Sequence, residues 1–358
     1  MRLFSHSAES RIFKYEAALQ PDYLPVEMEF RDAQLSSLAH ALRPASENRQ
    51  PENIIIYGPP GSGKTSSAKF VLKQLCEYSS KPLSIYVNCW EVPTRFGIFS
   101  SILFAFGEMM PRRGIAADEA LSRIVSIAKN TGIMPIIVLD EIDRLLASQY
   151  DEERVLYDLA RAYEVHGIKL GIVGITNDRN LLSKLDSRVR SSLAQCVVEF
   201  PSYGISELKG ILLSRANAAF FPDALGPEVI SLCAAVGAKN NGDARLALNV
   251  LWRAGREAER QNSPRVEITH VQKVKNESVS SVGFLARKEM QLDEMGAQII
   301  DALRKKPLLS GELYSCFPKV SERTIRNHLD NLEKMGLIHT EETGGREGRS
   351  RKISLAKK

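Results

Sequence analysis

The eight residues 58–65 read GPPGSGKT and lie between two segments with different patterns. Residues 53–57 form a short apolar run typical of a buried strand, and residues 66–78 have the spacing of a helix. Glycines let such a loop turn its N–H groups inward, where they and the helix N-terminus attract phosphate. A Gly/Pro turn could match this motif by accident, but the flanking strand and helix argue against it. The segment therefore predicts a nucleoside triphosphate site.

A second apolar run ends in acidic side chains at 136–143, IIVLDEID. Asp140 would then lie at the carboxyl end of a strand beside the loop, where it can hold Mg²⁺ through water together with the Thr65 hydroxyl. Glu141 is the candidate base that orients an attacking water, and Lys64 would neutralise the β- and γ-phosphates. An ordinary strand followed by an acidic helix start would look the same, so the assignment depends on the loop upstream.

Asn177 lies at the end of another strand-like segment, GITN at 174–177. An asparagine after a strand is often only a turn residue. On a strand next to that of Asp140, its amide could instead hold the water near the γ-phosphate. We favour the second interpretation.

Composition excludes several classes of protein. The chain has 358 residues, 44% hydrophobic and 25% charged, which is typical of a soluble globular protein with two or three domains. Its longest strongly apolar run, 135–139, is too short to cross a bilayer, and the first residues lack the apolar core of a secretory signal. The five cysteines have no metal-binding spacing. These features predict a cytoplasmic protein without a membrane partner.

The order of patterns along the chain predicts three domains. Strand-like runs at 53–57, 83–88, 135–140, 169–176 and 196–200 alternate with helical stretches, as in a parallel α/β sheet. Four helices follow at 204–220, 226–239, 242–261 and 267–277, and then a polar linker begins near Val279. We therefore expect an α/β domain over 1–200, a helical lid over 201–280 and a third domain over 285–358.

The last domain has the pattern of a winged helix. Its third helix should begin at Ser321 and bury Ile325, Leu329 and Leu332, leaving a polar face toward DNA. Six basic residues and one acid then follow between 343 and 358, around a glycine-rich turn. Six phosphate contacts would give a salt slope of about −5. A winged helix used for protein contacts is the alternative. The candidate DNA-binding residues in the helix and wing are Arg323, Arg326, Asn327, Arg346, Arg349, Arg351 and Lys352.

Together these motifs resemble those of AAA+ ATPases, and more narrowly those of the archaeal replication initiators related to the origin recognition complex and the cell division control protein. The resemblance covers essentially the whole chain. It includes the box LDSRVRSSL at 185–193, the lid segment GDARLAL at 242–248, and the segment EFPSYGISELKGIL at 199–212. It also includes the stretch from Tyr23 to Asp32, which in this family lies against adenine.

The resemblance implies further site residues. Asn177 corresponds to sensor 1, Arg245 to sensor 2, and Arg188 to the arginine finger that reaches a neighbouring subunit, although Arg190 stays an alternative. Arg112, Arg113 and Gly114 correspond to an insertion that touches DNA from the ATPase domain; a plain surface connection is the other interpretation. The expected nucleotide contacts are Tyr23, Leu24, Arg31, Gly58, Pro59, Pro60, Gly61, Ser62, Gly63, Lys64, Thr65, Ser66, Asp140, Tyr203 and Arg245.

The implied function is ATP-dependent initiation of DNA replication. The resemblance implies ATP or ADP with Mg²⁺ as cofactors, and double-stranded origin DNA, the replicative minichromosome maintenance helicase and other initiator copies as partners. Slow ATP hydrolysis would act as a switch. Two alternatives remain at this stage: a P-loop transcription regulator that binds promoters through the winged helix, and a clamp-loader-like or chaperone-type ATPase.

Overall fold

The computed structural model describes residues 11–109, 116–146, 152–279, 294–305, 308–317, 320–334, 338–345 and 348–355. Its contacts divide the chain into two compact units, Met1–Val271 and Gln272–Lys358. The α/β part and the helical lid as far as residue 271 lie in the first unit, and the last lid helix continues into the second. The predicted division between them at residue 200 stays a prediction.

The first unit is built on a five-stranded parallel sheet with strand order β2-β3-β4-β1-β5. Every residue of β3 and β4 is buried, because helices cover both faces of the sheet. All five predicted strands are present, with ends shifted by one or two residues. Their bounds are β1 Ile54–Tyr57, β2 Pro82–Asn88, β3 Met134–Asp140, β4 Gly171–Thr176 and β5 Cys196–Glu199.

Nine helices of the described residues surround this sheet, and a 3-10 helix, Glu16–Leu19, precedes them. Two apolar clusters, one against each face, fill the space between helices and sheet. The helices are α1 Asp32–Ser46, α2 Lys64–Tyr78, α3 Arg95–Ala105, α4 Ala117–Thr131, α5 Asp143–Leu146, α6 Arg154–Ala160, α7 Ala162–His166, α8 Leu181–Lys184 and α9 Ser187–Leu193.

Four more helices form the lid: α10 Ile205–Ala219, α11 Val229–Lys239, α12 Ala244–Arg260 and α13 Ile268–Val279. All four were expected from the sequence, within three residues at each end. Helix α12 begins where Asp243, its N-cap, accepts a hydrogen bond from the Leu246 amide.

After α13, the described residues of the second unit form three helices and a three-stranded antiparallel sheet with order β6-β8-β7. Their bounds are α14 Glu294–Lys305, β6 Leu308–Leu309, α15 Ser310–Cys316, α16 Glu322–Lys334, β7 Ile338–Gly345 and β8 Gly348–Leu355. Ile325, Leu329 and Leu332 are buried in its core, as their spacing predicts. The short strand β6 was not expected. The second wing strand begins at Gly348, because its pairing with β7 continues to the turn.

Within the described ranges, no helix is long and apolar enough to cross a membrane.

Candidate functional site

The phosphate-binding loop has the backbone that its glycines allow. Gly61 and Gly63 have φ values of 74° and 90°, a region in which residues with a side chain are strained. Helix α2 begins at Lys64, two residues before the predicted start, so its N-terminus lies directly at the loop. The positive end of the helix and the loop amides are therefore available to one anion.

Lys64 lies buried at the centre of the site. Its Nζ donates to the carbonyl oxygens of Gly58 at 2.7 Å and Pro59 at 2.8 Å, and to Oδ1 of Asn177 at 2.8 Å. Burial, and next the charge of Arg245, lower the pKa of Lys64 to about 8. The contact with Asn177 brings together two residues that the sequence analysis had assigned to one phosphate.

The predicted cation-binding groups also meet. The Thr65 hydroxyl donates to Oδ2 of Asp140 at 2.8 Å, and the amide of Glu141 donates to Oδ1 of Asp140 at 3.0 Å. Glu141 has φ of +58°, which is unusual for a residue with a side chain and turns the chain sharply after β3. Burial, followed by the charges of Asp140 and Asp143, raises the pKa of Glu141. A carboxyl group with a raised pKa is a better proton acceptor in a reaction.

The residues fit a Mg²⁺–nucleotide complex. A hydroxyl and a carboxylate oxygen 2.8 Å apart are the hard ligands that Mg²⁺ prefers. The Ser62 and Ser67 hydroxyls are buried and have no hydrogen-bond partner in the part of the chain that the structure describes. Unpartnered buried polar atoms are costly in a protein. In the loop, Ser62 therefore offers a group for a polar ligand.

Arg31 lies behind the loop rather than in the open cavity. It is 2% exposed, and its guanidinium donates to the carbonyl oxygens of Ser62 at 3.1 Å and Pro201 at 2.8 Å. The guanidinium stacks on the Tyr203 ring at 3.7 Å. Arg31 therefore holds the loop against the segment that leads from β5 to the lid. Its expected nucleotide contact stays a prediction.

A cavity lies between the loop, the N-terminal segment and the lid. Its wall includes Pro21 and Pro25, the loop residues Gly61, Gly63, Thr65 and Ser66, and Tyr203, Ala244 and Arg245. Tyr23, a predicted adenine contact, packs its ring against the guanidinium of Arg215 at 4.5 Å. The adenine contacts of Tyr23 and Leu24 therefore stay predictions, whereas the neighbouring Pro25 borders the cavity.

The lid reaches the loop through the start of α12. The Ala244 amide donates to the Gly61 carbonyl at 3.2 Å, and a Cβ on Gly61 would lie 2.0 Å from Oδ1 of Asp243. Arg245 follows in the first turn and borders the cavity. Its sensor role stays a prediction.

The predicted arginine finger lies on the surface. Arg188 is exposed on α9, where its Nε is 3.1 Å from Oδ1 of Asp186. Arg190 is exposed on the same helix. Neither borders this chain's own cavity. Which of them reaches a neighbouring copy stays open.

Sequence reasoning missed two residues near the site, Tyr86 and Arg215. Tyr86 on β2 donates its hydroxyl to Oδ2 of Asp140 at 2.8 Å. Arg215 on α10 is buried and donates to the carbonyl oxygens of Gln20 and Tyr23, which hold the N-terminal segment on the lid. Both contacts join distant segments, so no local spacing could have indicated them.

The candidate DNA-binding residues lie in the second unit. Arg323, Arg326 and Asn327 are exposed on α16, where Arg326 Nε donates to the Tyr314 hydroxyl at 3.0 Å. Helix α16 begins at its predicted cap, since the Thr324 amide donates to Oγ of Ser321 at 3.2 Å. Arg349, Arg351 and Lys352 lie in β8. Arg346, Arg112, Arg113 and Gly114 lie outside the described residues.

Comparison with known proteins gives the family. Residues 47–182 match the model of an AAA domain, and residues 209–276 match the Cdc6 AAA+ ATPase-type lid domain. The chain is 34% identical to ORC1-type DNA replication protein 1 of Sulfurisphaera tokodaii, over 99% of this chain and 92% of the relative. It is also 34% identical to the ORC1-type DNA replication protein of Pyrococcus abyssi, over 99% and 90%.

A solved structure supports the same relationship. The structure of the Aeropyrum pernix ORC1 protein in complex with DNA superposes with a TM-score of 0.82 and 32% identity, covering 98% of this chain and 95% of that one. Sequence identity above 30% therefore covers nearly the whole length of the chain, in agreement with the AAA and lid matches. The chain belongs to the family of ORC1-type DNA replication proteins.

Proposed function

We propose that this protein is an ATP-regulated initiator that binds origin DNA and helps to recruit or load the replicative minichromosome maintenance helicase. One observation carries the proposal: Lys64, Asn177 and the Thr65–Asp140 pair converge beneath the lid, in a chain that matches ORC1-type replication proteins along its whole length. ATP binding and slow hydrolysis would be the switch.

Each residue of the site has a separate role. Lys64 neutralises phosphate charge, and Thr65 with Asp140 would hold Mg²⁺. Bound Mg²⁺–ATP would supply the phosphoanhydride that is cleaved. Glu141 accepts the proton of the attacking water, which Asn177 helps to place. Arg245 binds the phosphates from the lid, so that the angle of the lid depends on which nucleotide is bound.

DNA binding is assigned to the second unit, with further contacts proposed for Arg112, Arg113 and Gly114. The Aeropyrum relative was solved in complex with DNA. The polar face of α16 would enter the major groove, and the basic wing would contact phosphate. Arg188, which is exposed and does not line the cavity of its own chain, would act on a neighbouring copy assembled on the same DNA.

The proposal is tested by footprinting the full-length protein on DNA from its own genome, with ATP and with ADP. We expect discrete protection of a repeated element near a replication start, with an extent that changes with the nucleotide. A Lys64→Met variant should lose the nucleotide dependence, because it lacks the phosphate-binding charge. Protection confined to promoters would favour a transcription regulator instead, and no specific protection would contradict the proposal.

A further inference from the structure

A tyrosine on β2 contacts the cation-binding carboxylate. The hydroxyl of Tyr86 donates to Oδ2 of Asp140 at 2.8 Å, and the Thr65 hydroxyl donates to the same oxygen at 2.8 Å. The other oxygen, Oδ1, accepts from the Glu141 amide at 3.0 Å. Three donors from three segments therefore fix the plane of this carboxylate.

Of these donors, Thr65 is itself a candidate cation ligand. When its oxygen binds a cation, the direction of its O–H bond must follow the new ligand geometry. Tyr86 does not share this constraint, because it approaches from β2, where Tyr86 is paired in register with Val138, two residues before Asp140. It can therefore keep its hydrogen bond whether or not a cation is present.

The ring of Tyr86 is held as well as its hydroxyl. Nζ of Lys69, one helical turn after Thr65 on α2, lies 4.2 Å from the centroid of the Tyr86 ring. The ring is thus held by one contact and the hydroxyl by another.

We propose that Tyr86 is a positioning residue for the divalent cation of the nucleotide site, and that it acts by holding Asp140 in the orientation that the hydrated cation requires. This inference rests on the proposed function, because it concerns the same Mg²⁺–nucleotide complex. Groups that hold a metal-binding side chain contribute about 10- to 100-fold to metal affinity. Removal of this one hydroxyl should therefore weaken the binding of the cation and leave the nucleotide bound.

The test uses Tyr86→Phe in the full-length, nucleotide-free protein. Phenylalanine keeps the ring and its contact with Lys69, and the residue is already 39% exposed, so the fold should be preserved. Binding of a fluorescent ADP analogue is measured in EDTA and then during titration with MgCl₂. We expect metal-free affinity within about twofold of wild type and a Mg²⁺ midpoint raised about tenfold or more.

Tyr57→Phe is the matched control. Tyr57 is another strand tyrosine whose hydroxyl pairs with a carboxylate, that of Glu199, at the surface. Its loss should leave the Mg²⁺ midpoint unchanged. An unchanged midpoint in Tyr86→Phe, or an equal rise in both variants, would overturn the role of Tyr86. If the wild-type chain bound no nucleotide at all, the proposed function itself would fail.

Discussion

Burial and a neighbouring charge change the protonation of Lys64 in the physiological pH range. Its ammonium group donates to two carbonyl oxygens and one amide oxygen, and it forms no ion pair with a carboxylate of the described residues. Burial and the charge of Arg245 therefore lower its pKa to about 8. In the nucleotide-free protein a substantial fraction of Lys64 is neutral just above pH 8.

Nucleotide binding should consequently take up protons. The phosphates stabilise the charged form of Lys64 and raise its pKa, so a lysine that is partly neutral in the free protein becomes fully protonated in the complex. We expect uptake of roughly half a proton at pH 8 and much less at pH 7. Isothermal titration calorimetry in buffers of different ionisation enthalpy measures this number. Equal uptake at the two pH values would contradict the assignment to Lys64.

Glu141 allows a separate test of hydrolysis. Glu141→Gln keeps the size and polarity of the side chain but cannot accept a proton. We expect nucleotide affinity within about threefold of wild type and a fall in ATP turnover of about 100-fold or more, which is the usual contribution of a general base. Single-turnover hydrolysis and equilibrium binding are measured on the same preparation. Normal turnover in the variant would place the base elsewhere.

Individual residues of the site were predictable to different degrees. Lys64, Thr65 and Asp140 were predictable because each follows from a local motif whose geometry is set by one strand end and one helix start. Tyr86 was not, since its contact with Asp140 depends on the pairing of β2 with β3. The burial of Arg31 behind the loop could not be predicted either, because its hydrogen-bond acceptors, residues 62 and 201, are distant from it in sequence.

At the scale of elements, the bounds that differ from the prediction have physical causes. Gly63, which has a positive φ, is the N-cap of α2, so the helix already includes Lys64 and Thr65. The apolar spacing in the sequence begins only after these two residues. Strand β8 continues to Gly348 because its polar residues pair with β7, and polarity in a sequence does not reveal backbone pairing. Strand β6 has two residues, which is too short for any periodicity.

Arg31, at the start of α1, contacts both the phosphate-binding loop and the segment that leads from β5 to the lid. Its replacement should destabilise the packing of these three elements. Arg31→Ala leaves the carbonyl oxygens of Ser62 and Pro201 without this donor and removes the stacking on Tyr203. We expect a loss of about 2 kcal/mol, or about 4–8 °C in the midpoint of thermal unfolding of the first unit. Arg31→Lys should recover little, because an ammonium group cannot reproduce the planar set of donors.

Arg43→Ala is the control for this series. Arg43 is an exposed arginine in the last turn of α1, so its removal should shift the midpoint by no more than about 2 °C. The comparison is made by circular dichroism on nucleotide-free protein. Equal midpoints for Arg31→Ala and Arg43→Ala would show that the buried guanidinium does not stabilise the junction.

At the scale of the whole molecule, nucleotide binding and the proposed winged-helix contacts with DNA are assigned to different compact units. The residues of the nucleotide site all lie within Met1–Val271, and the winged-helix candidates lie within Gln272–Lys358. Variants of the wing should therefore change DNA affinity without changing nucleotide affinity. The two units have separate apolar clusters, and the predicted domain boundaries stay a prediction.

The wing makes a quantitative prediction for the salt dependence of DNA binding. Replacing Arg349 and Arg351 together by alanine removes two of the proposed phosphate contacts from β8. Each contact contributes about 0.9 to the slope of log K against log salt, so the slope should become shallower by about 2. Fluorescence anisotropy on one duplex between low and moderate salt measures it. Arg43→Ala with Lys129→Ala removes the same charge from exposed helix ends of the first unit and should leave the slope nearly unchanged. Equal slopes for wild type and the wing variant would mean that these two arginines do not contact phosphate.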